Sequence, residues 1–76
     1  MIFLIMGFQE DKDDIVYEKK IDLCVSELMP IMHWAESTDC IGADFPLSPD
    51  QAAHIASLAL IELPNNLDLY LAHYAS

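Results

Sequence analysis

Apolar residues fill nearly every position of residues 1–8, with β-branched Ile2 and Ile5 and with Gly7 near the end. The run is too short for a membrane-spanning helix, which takes about 20 residues, and it suits a buried extended arm. Glu10, Asp11, Asp13 and Asp14 follow it. These acids would oppose the dipole of a helix ending there, but they suit the start of a helix beyond. The apolar positions Tyr17, Ile21, Cys24, Leu28, Ile31 and Ala35 are then spaced by alternating fours and threes, which predicts a long amphipathic helix. Asp13 or Asp14 would cap it, and Val25, Met29 and Met32 would widen its apolar face. Pro30 predicts a kink or a break near Met29, because proline lacks an amide hydrogen and crowds the preceding turn. A second period competes over residues 15–22, where Ile15, Tyr17, Lys19 and Ile21 alternate with Val16, Glu18, Lys20 and Asp22. Read that way, the segment is a strand forming a hairpin with the N-terminal arm.

Residues 37–47 turn to Ser, Thr, Asp, Gly and Pro, a loop that Phe45 and Leu47 would pin to the core. Ser48, Pro49, Asp50 and Gln51 then combine an N-cap serine, a first-turn proline, a first-turn acid and a capping-box glutamine. The helix predicted from that point runs to Leu63, is apolar around most of its circumference and is expected to be the core helix. Pro64, Asn65 and Asn66 would end it, and a last helix would carry Leu67, Leu69, Tyr70, Leu71 and Tyr74. The expected fold is a single domain over residues 1–76, mainly α, a compact bundle of three or four short helices with an extended apolar N-terminal arm. The alternative is α+β with an N-terminal β-hairpin.

Charge changes the picture more than composition does. Thirteen acids face three lysines, arginine is absent, and the formal net charge is −10. The hydrophobic content of 54% is too high for a disordered acidic tail. Direct nucleic-acid binding is disfavoured, since that affinity comes largely from lysine and arginine on phosphates. A protein with a basic surface is the natural complement. With two cysteines and no leader-like segment, a reduced, cytoplasmic protein without membrane attachment is expected. An unpaired apolar arm would also favour a homodimer, which removes an exposed edge.

Candidate chemistry is sparse. Cys24, His33, Cys40, His54 and His73 are metal-ligand types, but they lack the close Cys or His pairs of zinc sites. The acids at 10–14 are out of register for a calcium loop. Cys24 falls on the predicted apolar helix face and Cys40 sits among acids, so neither is placed as an activated nucleophile. No catalytic residue, metal site or cofactor is therefore assigned. The strongest candidate is a row of like charges, Asp14, Glu18 and Asp22, at helical i, i+4 spacing. Trp34 is a second binding candidate, with core packing as its competing role. These residues lead to the expectation of a small acidic, non-catalytic protein-binding module, an inhibitor or immunity-type protein covering a basic surface. The alternative function is a small enzyme or metal-binding domain using the cysteines and histidines.

Overall fold

A computed structural model describes residues 2–41, 44–64 and 66–74. Its elements are β1 (Ile2–Phe8), β2 (Ile15–Ile21), α1 (Val25–Met32), a 3-10 turn (Ser37–Cys40), β3 (Phe45–Pro46), α2 (Pro49–Ala59) and β4 (Asp68–Tyr74). The strands form one antiparallel sheet in the order β2-β1-β4-β3. The fold is thus α+β, which overturns the mainly helical bundle and confirms the alternative hairpin of the N-terminal run with residues 15–21.

The apolar run is not an arm but an inner strand. Interior strands bury both faces and so read as continuously hydrophobic. In β1, Phe3 and Ile5 point to the helices, while Leu4 and Met6 point away, and all are buried. β2 pairs on one side, with Phe3 opposite Ile21 and Ile5 opposite Lys19, and β4 pairs on the other, with Phe3 opposite His73 and Ile5 opposite Leu71. Both edges of β1 are therefore occupied, which removes the unpaired arm from which a homodimer was argued. The exposed edges belong to β2 and to the two-residue β3.

The long helix expected from Tyr17 to Ala35 is a strand followed by a short helix. Tyr17 and Ile21 share a face in either structure, because an even spacing satisfies a period of two as well as one of 3.6 residues. Only from Leu28 to Ile31 is the spacing helical, and both side chains are buried in the core. α1 runs through Pro30 without the expected break near Met29 and ends at His33, which takes the left-handed conformation with φ 60°. The expected last helix is β4, where Leu69 and Leu71 face the core while Tyr70 and Ala72 lie on the reverse side. Asn65, one of the residues expected to end the preceding helix, lies outside the described residues.

The start of α2 is as the local signals predicted. Ser48 Oγ accepts from the Gln51 amide at 3.1 Å, and Gln51 Oε1 accepts from the Ser48 amide at 2.9 Å. The same glutamine donates through Nε2 to the Ile31 carbonyl at 3.2 Å, which ties α2 to the end of α1. α2 stops at Ala59, short of Leu63, and it is not apolar all round against the core. Ile55 is its one fully buried side chain, while Leu58 is 44% and Leu60 90% exposed. A short layer of two helices on one sheet face leaves no second layer to cover their outer sides.

Candidate functional site

The three acids of the expected stripe do not form one. Asp14 precedes β2, Glu18 lies within it and Asp22 follows it. On a helix, residues four apart lie about 5–6 Å apart at Cβ, whereas along a strand they separate by about 13 Å at about 3.3 Å per residue. All three are exposed, and only Glu18 sits on the sheet, opposite Met6. Trp34 is a packing residue: it is half-buried, lies over Phe3 with ring centroids 6.4 Å apart, and meets the edge of Phe45 at 5.2 Å.

The cysteines and histidines are likewise dispersed. Cys40 is fully buried, and its thiol donates to the Ser37 carbonyl at 3.2 Å. Cys24 is exposed at the N-cap of α1, where its thiol donates to Glu27 Oε1 at 3.2 Å. The Cys24 amide donates to the same carboxylate oxygen at 3.0 Å. That amide, and then the thiol, hold the Glu27 carboxyl below its usual range. His33 and His54 are exposed on separate elements, and His73 packs edge-on to Phe3 at 6.2 Å. Among the described residues no group of three His, Cys, Asp or Glu converges to hold a metal ion.

What the sheet does bring together had no signal in the linear sequence. Both helices place their buried side chains against one face, and the reverse face carries its own cluster of Leu4, Met6 and Ala72 with Phe8 and Tyr70 packed against it. No helix residue belongs to that second cluster. Antiparallel pairing sets Met6 opposite Tyr70 and Phe8 opposite Asp68, and the Phe8 and Tyr70 rings meet edge to face at 5.5 Å. At this end of the face is a depression of about 230 Å³ lined by Met6, Phe8, Tyr70, Lys12, Asp13, Asp44 and Asp68. A larger groove of about 350 Å³ lies between α2 and the approach to β4, walled by Leu47, Ala52, Ala56, Leu63 and Leu67. Asp68 is the residue shared by the two concavities.

Within the depression, Met6 and Tyr70, and Phe8 and Asp68, are brought opposite one another only by the register of β1 against β4, which lie far apart in the chain. Residues 69–72 are apolar at every position, which fits an inner strand and the expected helix equally. Among the described residues no helix is long and apolar enough to cross a membrane.

The chain belongs to the family described as a domain of unknown function, DUF7683, whose match covers residues 2–72. No curated protein and no solved structure matches it.

Proposed function

We propose that this protein is a non-catalytic binding module of the inhibitor or immunity type that docks on a basic protein surface. The observation that carries the reading is the distribution of charge. All thirteen aspartates and glutamates are exposed, whereas the three lysines, Lys12, Lys19 and Lys20, are confined to the β1–β2 hairpin. From Ile21 onward the chain holds eight acids and neither lysine nor arginine. Such a surface repels itself and attracts a cationic partner, accelerating encounter through long-range steering.

The test is affinity capture from the source cells, followed by titration of the purified partner against the whole chain. The expected result is a saturable complex with a positively charged protein whose own activity falls on binding. Its association rate should drop by about tenfold or more between low salt and about 0.5 M salt. Capture of neutral or acidic partners only, or an association rate indifferent to salt, overturns the reading.

A further inference from the structure

Resting on that reading, we propose that the docking surface is the helix-free face of the sheet at its Phe8–Tyr70 end, and that its occupant is an arginine side chain of the basic partner. The helices pack on one face of the sheet, and among the described residues the hydrophobic side chains packed against Leu4, Met6 and Ala72 on the other are Phe8 and Tyr70, both from strands. Its free end is where charge and aromatic surface coincide. Asp13 comes from the β1–β2 turn, Asp44 from the segment before β3, and Asp68 from the first position of β4. Three separate parts of the chain thus each place an aspartate in the lining of one depression, together with Met6, Phe8 and Tyr70.

The chemistry of that lining selects the occupant. The depression holds one cation, Lys12, against three carboxylates, so its charge is complementary to a further positive group. An arginine offers an aliphatic stem for Met6, a planar guanidinium that stacks on an aromatic ring, and five donors for oxygens arriving from several directions. A lysine supplies the charge but not the plane. A second copy of this chain is the poorer fit, because each copy carries −10 and would bring its own Asp13, Asp44 and Asp68 against the same three acids. The α2 groove is larger but has Asp68 as its one charged wall, so it offers little to tell a basic partner from a neutral one.

The experiment titrates the isotope-labelled full chain with a short synthetic peptide of leucines around a single arginine, capped at both ends, and follows backbone amide shifts at low salt. Saturable shifts should concentrate at Met6, Phe8, Asp13, Asp44, Asp68 and Tyr70. Asp44→Asn combined with Asp68→Asn should weaken binding by about tenfold or more, and Phe8→Ala should weaken it as well. Replacing the peptide's arginine by lysine should weaken it several-fold, and replacing it by neutral citrulline should abolish it. Asp14→Asn with Asp22→Asn, which removes the same charge elsewhere, should leave it unchanged. The exchanged acids are exposed, so each variant should keep the wild-type spectrum outside the substituted positions. Shifts centred on Asp14, Asp22 or Trp34, or equal losses in the two double variants, overturn this assignment while leaving an acidic binding module in place. Absence of saturable peptide binding overturns the assignment too, and the salt-dependent complex of the preceding section then decides separately whether the broader reading survives.

Discussion

Trp34 lies over Phe3, with ring centroids 6.4 Å apart and planes 29° from parallel, so the residue just past α1 packs on the inner strand of the sheet. The left-handed turn at His33 makes this contact possible, since it reverses the chain and lets the Trp34 amide donate to the Met29 carbonyl at 3.0 Å. Trp34→Ala should therefore cost about 2–4 kcal/mol, below the full range for a buried aromatic because the indole is half-buried. Trp34→Phe should recover most of that loss. Urea denaturation followed by far-ultraviolet circular dichroism measures both, and an unchanged midpoint for the alanine variant would show that the indole contributes no packing.

Ser48→Ala should destabilise by about 0.5–2 kcal/mol, because the Gln51 amide loses its side-chain acceptor. Ser48→Asp should restore stability, as aspartate caps equally well and favours the positive helix end. Thermal melts of the two variants check the pair. Aspartate failing where serine succeeds would point to the surrounding acidity, not capping, as the controlling factor.

The start of α2 is legible in the sequence and the strands are not, for a physical reason. Ser48, Pro49 and Gln51 act on backbone groups within one turn, so their meaning does not depend on the rest of the fold. Residues 15–21 and 68–74 take their structure from pairing with β1, which lies up to about seventy positions away. Tyr17 to Ile21 spans four residues, a spacing that fits either period, and β4 has apolar residues on both faces because it is an inner strand. The apolar density of residues 2–8 signals burial, yet its two partner strands carry no local signature. The acids of the candidate site were visible individually, but nothing in their spacing placed Asp13, Asp44 and Asp68 around one depression.

Within α2 the energetic weight falls on Ile55, which is fully buried, not on the leucines that follow it. Ile55→Ala should cost about 2–5 kcal/mol. Leu60 is 90% exposed and takes the left-handed conformation with φ 57° at the helix end, where glycine has no Cβ penalty. Leu60→Gly should raise stability by about 0.5–1 kcal/mol as that penalty of about 1–2 kcal/mol is relieved, less the added freedom of the unfolded chain. Denaturant titration of the two variants should move the midpoint in opposite directions.

Gly7 sits where neighbouring side chains approach β1 closely. A Cβ built there would stand 2.8 Å from Leu67 Cδ1, 3.0 Å from Tyr17 Cβ and 3.3 Å from Leu69 Cδ2. The leucine methyl can rotate away, but the Tyr17 Cβ is fixed to the β2 backbone at the point where the pairing register shifts. In a roomy strand, alanine would gain about 0.5–1 kcal/mol over glycine. Here crowding should win, and Gly7→Ala should lose about 1–3 kcal/mol. Equilibrium unfolding measures it, and a stabilised variant would mean that β1 and β2 separate locally at little cost.

The last prediction concerns Glu27, whose carboxylate accepts from the Cys24 amide at 3.0 Å and from the Cys24 thiol at 3.2 Å. These bonds favour the charged form, the amide bond more than the thiol, and they lower its pKa in the folded protein below the ordinary value of 4.5. A depressed folded value means that the unfolded chain takes up the proton first as pH falls. The stabilising contribution is therefore complete above the unfolded pKa and is lost as pH drops from there through the lower folded pKa. Glu27→Gln retains an acceptor for the amide, as Gln51 does for Ser48 in α2, but removes the charge. The wild type should consequently be the more stable at neutral pH, and the two chains should converge as pH falls well below 4.5. Added salt at neutral pH should narrow the same gap, because the carboxylate is fully exposed to solvent. Parallel thermal melts across that pH range give the difference directly. A gap that stays constant down to the acid limit would assign the effect to side-chain geometry and remove the charge from the account of the α1 cap.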